Sequence, residues 1–185
     1  MNQEWSELNK AMRARIKKKD TYQAGIETLL QLRSQLTRTL VSFKEELPRE
    51  AFHAIPFLNA DGYHSKTIAY SIWHIFRIED IVAHTVIRGD EQVFFTGRYQ
   101  ERIHSPIITT GNELVKQEIA DFSKELDLDE LYSYMFEVRE STEKLLKRLP
   151  YDELKRKIPE ERKANLTALR VVSDSENAVW LIDYW

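Results

Sequence analysis

Apolar residues recur at steps of three and four along most of this chain, the spacing that lines up one face of an α-helix. Trp5, Leu8, Met12 and Ile16 form the first such seam, in a helix expected over residues 4–19. A break is expected at Lys19, Asp20 and Thr21, where Asp20 or Thr21 can cap the next helix. That helix is expected from Thr21 to Leu47 on Ile26, Leu29, Leu36, Leu40, Phe43 and Leu47. Arg33 interrupts its seam and Pro48 ends it.

Residues 48–65, PREAFHAIPFLNADGYHS, hold two prolines, an Asn-Ala-Asp-Gly turn signal and two histidines, and have no sustained period. They read as a connecting loop. A third helix is expected from Lys66 to Arg88, apolar nearly all round and therefore lying between other elements. Gly89 supplies its left-handed C-terminal residue after the cationic Arg88. A mixed segment with Phe94, Phe95 and Tyr99 follows, then SPIITTGNEL and a helical stretch from Asn112 to Leu126 with Leu114, Ile119 and Phe122 inward. Asp127 and Glu130 read as a capping box. The helix they open has the cleanest period: Leu128, Leu131, Met135, Val138, Thr142, Leu145 and Leu149, ended by Pro150. Met135 is read as core filling. Charge dominates from Tyr151 to Lys163, and Pro159 forbids one continuous helix there. Asn165 to Val172 is a further short helix, and the chain closes on NAVWLIDYW, a large apolar surface that needs a partner.

Composition agrees with this reading. Hydrophobic residues are 42% and charged residues 31% of 185, with only five Gly and five Pro, which suits long amphipathic helices and leaves few turn signals for strands. The class is all-α, in a single domain spanning 1–185. With no cysteine, disulfides, thiolate metal sites and cysteine nucleophiles are excluded, and any metal must be held by His, Asp or Glu. The N-terminus does not have the pattern of a signal peptide, and no run of roughly 18 apolar residues spans a membrane. A cytoplasmic location without membrane contact is the expectation. The net charge of −3 gives no general attraction to nucleic acid. KAMRARIKKK, residues 10–19, is a local basic run that reads as the solvated face of the first helix, with an anionic partner as the alternative.

The candidate chemistry centres on IWHIFRIEDIVAHTVI, residues 72–87. In helical projection His74 joins Tyr70, Ile78, Ile81 and Thr85 on an apolar stripe. It is either a core histidine with a hydrogen-bond partner or one arm of a metal site. Its neighbours three and four positions away are Ser71, Tyr70, Arg77 and Ile78, so no local His-x-x-x-His or Glu-x-x-His clip exists. Asp80 and His84 are expected as a modest surface pair, about 0.2–0.5 kcal/mol. His53, His64 and His104 fall in expected loops. Arg77, Glu79 and Asp80 place charge inside an apolar helix, either pairing across helices or forming a polar pocket rim. No phosphate loop, nucleophile elbow or nucleic-acid motif is present, and no catalytic residue is assigned.

The stretch SIWHIFRIEDIVAHTVI resembles the second bundle helix of the DinB-like, YfiT-type four-helix bundle superfamily. TTGNEL, DFSKELDLDELYSYMFEVRESTEKLL and the ending AVWLIDYW resemble one branch of it. The resemblance implies an up-and-down four-helix bundle in which the helices beginning near residues 21, 66 and 128 are core members. It also implies a divalent metal such as Zn, Ni or Mn held by His74 and by a His-x-x-x-His pair on a last helix. That pair should follow residue 185, so the chain is expected to be truncated or rearranged there. The implied function is a metal-dependent transferase or hydrolase-like enzyme using a small thiol or another small molecule. The alternative is a non-catalytic binding or stress-associated module with His74 as a buried polar residue. Without the last helix, the seam from Leu128 to Leu149 is expected to line a groove. A second copy in a homodimer, or residues 165–185, would cover it.

Overall fold

The computed structural model describes residues 2–57, 59, 65–176 and 178–184; most of the expected Asn-Ala-Asp-Gly turn, His64 and Trp185 lie outside them. Among the described residues the regular structure is entirely helical, with no strand. The chain forms two compact units, Met1–Leu47 with Glu143–Arg156 and Pro48–Thr142 with Lys157–Trp185.

In the first unit α1 (Asn2–Ile16) packs along α2 (Tyr22–Glu46). The expected break is a single 3-10 turn, Lys19–Thr21. Thr21 does not cap α2: its hydroxyl donates to the Arg15 carbonyl at 2.8 Å, closing the turn behind it. Gly25 permits close approach, since a Cβ there would stand 2.7 Å from the Ile16 side chain. Ile26 and Leu40 are buried as the period requires, joined by Tyr22 and Leu32. The Tyr22 hydroxyl donates to the Leu149 carbonyl at 2.8 Å, and Tyr151 donates to the Lys17 carbonyl at 2.9 Å. The basic run at the end of α1 and just beyond it is solvent-facing at Lys10, Arg13, Arg15, Lys17, Lys18 and Lys19.

The second unit is organised around α3 (Ile68–Asp80). Thr67 caps it, accepting the Tyr70 N–H at 3.0 Å, and the same hydroxyl meets Ser123 Oγ at 2.6 Å. The third helix is not α-helical to its end: Ile81–Arg88 is a π-helix. It stops where expected, at Gly89, which has φ +75° and donates to the carbonyl of His84 five residues back. Trp73 has no exposure and meets Phe94 and Phe122, each edge-on at 5.5 Å. Short helices α4 (Val93–Thr96) and α5 (Tyr99–Arg102) occupy the mixed segment.

The helix expected over 112–126 is shorter, α6 (Gln117–Glu125). Threonine, glycine and asparagine before it bond locally instead, with Thr110 Oγ1 to Asn112 Oδ1 at 2.7 Å and Gly111 at φ +78°. The long helix α7 (Leu128–Leu146) starts on Asp127, whose carboxylate accepts the Glu130 N–H at 3.0 Å. The Glu130 carboxylate pairs with Arg102 at 2.6 Å. Leu131, Met135 and Val138 have no exposure, so the middle of the expected groove is covered within the described chain.

The later short helix begins at Glu160 instead of Asn165, as α8 (Glu160–Ala168), directly after Pro159. Glu160 and Glu161 in its first turn suit the positive end of the helix dipole. Leu166 and Val171 pack against Ile81 and Val86 of the π-helix. In the closing segment Ala178 and Leu181, the first residue of α9 (Leu181–Tyr184), are buried, while Trp180 and Tyr184 are exposed. No described helix is long and apolar enough to cross a membrane.

Candidate functional site

Two positions one turn apart on α3 carry polar chemistry. Towards the interior, Arg77 and Asp80 have no exposure. They pair on one helix, not across two: Arg77 Nη1 lies 3.3 Å from Asp80 Oδ2. Nη1 also reaches the Tyr134 hydroxyl at 3.1 Å, and Nη2 reaches Gln92 Oε1 at 3.0 Å and the Ile108 carbonyl at 2.6 Å. Nε completes the set on the Ile108 carbonyl at 3.2 Å. All five guanidinium donors thus have an acceptor. Asp80 accepts from the backbone N–H groups of Val93 and Phe94, both at 2.9 Å, and from the Tyr134 hydroxyl at 2.9 Å. Burial pushes the Asp80 carboxyl up, and Arg77 with these three donors opposes it. Against the expectation of pairing across helices or a polar pocket rim, the ion pair of Arg77 and Asp80 lies within one helix, with Tyr134 and Gln92 completing it.

One turn earlier, His74 is half-buried and not part of the deep core. Its Nδ1 lies 2.8 Å from the Thr110 carbonyl. A carbonyl only accepts, so Nδ1 carries the proton and Nε2 keeps its lone pair. The ring stacks on Tyr70, with centroids 5.5 Å apart and planes 11° apart, and Tyr70 donates to the Gly111 carbonyl at 2.9 Å. Gly111 lies so close that a Cβ there would stand 3.1 Å from the Tyr70 ring. Lys66 Nζ sits 4.8 Å above that ring. Burial holds the His74 pKa below its ordinary value and Lys66 lowers it further, against the Thr110 bond and Glu113, which raise it. Burial lowers the Lys66 pKa as well. Glu113 accepts from Thr109 through Oε1, while its Oε2 is buried with no hydrogen-bond partner among the described residues.

The divalent metal implied at His74 meets a short donor set. Zinc sites take at least three protein ligands. His74 contributes one nitrogen, and among the described residues no group of three or more His, Asp or Glu is placed to hold an ion. The described residues alone therefore do not make a complete metal site.

The remaining histidines separate cleanly. His53 follows a 3-10 turn, Arg49–Phe52, and His104 is exposed, at φ 59°. The pair expected between His84 and Asp80 is a buried contact and not a surface one. His84 is 5% exposed, and its Nε2 lies 3.9 Å from Asp80 Oδ1, beyond hydrogen-bond reach. The π-helix turns the ring elsewhere, with Nδ1 2.8 Å from Asp90 Oδ1 and Nε2 2.9 Å from Ser141 Oγ.

Gln92, Tyr134, Asp90, Ser141 and Thr110 were not foreseen as partners of these groups. The one local signal was the Arg77–Asp80 spacing within an apolar helix, which announces a buried pair without naming what completes it. Against known proteins, no family model matches the chain and no curated sequence matches it.

Proposed function

We propose that this protein is a DinB-like helical protein that binds a small thiol or a similar small anionic molecule at His74. The observation that carries the reading is the anchoring of His74 through Nδ1 to the Thr110 carbonyl, which leaves Nε2 as an oriented acceptor. A neutral imidazole accepts a thiol or hydroxyl proton, and the half-buried Lys66 ammonium beside it favours an anionic group. Tyr70 floors the site with an aromatic ring. The relation to small-thiol transferases rests on the resemblance of the α3 stretch.

The test is to follow the His74 ring resonances while titrating glutathione into the purified protein, with and without Zn²⁺. Saturable shifts that vanish in Lys66→Ala support binding at His74. Unchanged ring resonances in both titrations would remove it.

The metal-dependent transferase is a second reading, favoured by the same free Nε2, because metal-ligating histidines commonly hold their other ring nitrogen on a carbonyl. Metal analysis separates the two. Stoichiometric Zn, Ni or Mn that is lost in His74→Ala selects the enzyme. Glutathione binding by metal-free protein selects the binding module.

A further inference from the structure

His84 stands between a hydroxyl and a carboxylate in the order that activates a nucleophile. Ser141 Oγ is 2.9 Å from Nε2, and Asp90 Oδ1 is 2.8 Å from Nδ1. The carboxylate fixes the tautomer: Nδ1 donates to Asp90, so Nε2 is left to accept the Ser141 proton. Asp90 is itself held, with Arg88 Nη2 2.7 Å from its other oxygen.

The backbone explains how these groups meet. Gly89 in the left-handed region reverses the chain, and the N–H groups of Gly89 and Asp90 both donate to the His84 carbonyl, at 2.6 and 3.2 Å. The reversal brings the Asp90 side chain back onto the ring of His84. Arg162 closes the same helix end, donating to the carbonyls of Val86 at 2.7 Å and of Ile87. A π-helical turn at this point is itself a feature that concentrates at functional sites.

Ser141 also departs from what helical serines usually do. Ser133, earlier on α7, donates to the carbonyl four residues back at 2.9 Å, as do Ser71 and Ser123 on their own helices, at 2.7 and 2.6 Å. Ser141 instead meets the imidazole. Ser141 is half-buried, whereas His84 is shielded. We propose that Ser141, His84 and Asp90 form an acyl-transfer centre, with Ser141 as nucleophile, His84 as general base and Asp90 as the residue that orients it. Its substrate class is small, unhindered carboxylic esters.

In the forward step the Ser141 oxygen bonds to the ester carbonyl carbon while its proton passes to His84 Nε2. The tetrahedral adduct then collapses, the bond to the alkoxide breaks, and the alkoxide takes that proton and leaves as an alcohol. Water deprotonated by the same nitrogen attacks the seryl ester, which releases the carboxylic acid and restores Ser141. As a mid-helical residue Ser141 has the neighbouring N–H groups committed to the helix, so backbone oxyanion stabilisation is missing. The gain is that of a positioned base alone, on the order of 10²-fold to 10⁴-fold. Slow acylation follows, not rapid turnover.

The experiment is labelling of the intact protein with a fluorophosphonate probe and with p-nitrophenyl acetate, with the modified peptide mapped by mass spectrometry. Modification is expected at Ser141, to be absent in Ser141→Ala, and to slow by roughly 10²-fold in His84→Gln. His84 is buried and its replacement can unfold the chain. Asp90→Asn, at a half-exposed carboxylate, is therefore the second variant, expected to slow labelling at least tenfold with an unchanged circular dichroism spectrum. Labelling of Ser141 at equal rates in the wild type and in folded Asp90→Asn would overturn the proposal. So would labelling confined to other residues.

Discussion

His74 and Arg77 stand one turn apart on α3, both polar intrusions into an apolar helix, and the structure leaves them in opposite conditions. Arg77 has no exposure and an acceptor for each of its five donors. His74 is half-buried and has one ring nitrogen on a carbonyl, while the other meets no hydrogen-bond partner among the described residues. A buried charge with every bond made is committed, because any change leaves a partner stranded in a low-dielectric interior. An imidazole with one nitrogen fixed and one open is oriented but not used up. The degree to which bonding capacity is filled thus separates a residue that holds the fold from one available to a ligand.

The sharpest way to break this contrast is at the filled network. Asp80→Ala strips the carboxylate from a buried guanidinium and from two backbone N–H groups, and should cost about 3–5 kcal/mol. A shift of the urea midpoint at constant slope measures it. A loss below about 1 kcal/mol would mean that Arg77 finds water, and that it is no more committed than His74. Tyr134→Phe deletes only the hydroxyl between Arg77 and Asp80. A hydrogen bond to a charged group is worth about 1.5–3 kcal/mol, and the loss should fall there.

The same distinction explains what the sequence revealed. Elements set by local chemistry were legible: α2 ends at Glu46, two residues before Pro48, Gly89 takes the left-handed conformation that stops the third helix, and Asp127 caps α7. Met135 lies in the core because its seam is a pure helical period. What failed depended on residues far apart. No spacing rule predicts that Tyr134 and Gln92 complete Arg77, or that Ser141 meets His84. The π-helix was equally hidden, since shifting each bond by one residue changes the projection without changing composition. The i,i+4 spacing of Asp80 and His84 suggests a surface pair, whereas the two groups come within 3.9 Å of each other in the interior.

A weaker lever acts on the start of α3, which carries both residues. Thr67 caps it and is 1% exposed. Thr67→Ala should lose about 1–2 kcal/mol, since a cap and a buried contact to Ser123 go together. If the helix start is what orients His74, its ring resonances should also broaden or shift in this variant, while the Arg77 side-chain signals stay in place. Movement of both sets would show that the two positions are not independent.

The smallest effect tests His74 directly. His74→Ala removes one hydrogen bond, worth about 0.5–1.5 kcal/mol at neutral pH, and the pH dependence carries the sharper information. Burial lowers the folded-state pKa below the ordinary 6.5. Between those two values the unfolded chain binds a proton that the folded chain does not, so this group's contribution is complete above about pH 6.5 and is lost as the pH falls towards the folded value. The difference in urea midpoint between wild type and His74→Ala should therefore shrink on acidification from about pH 8 to about pH 5. A difference that grows instead would mean that the imidazole is charged in the folded protein, with Glu113 as its partner. Nε2 would then be a donor, and His74 would have no acceptor to offer a ligand.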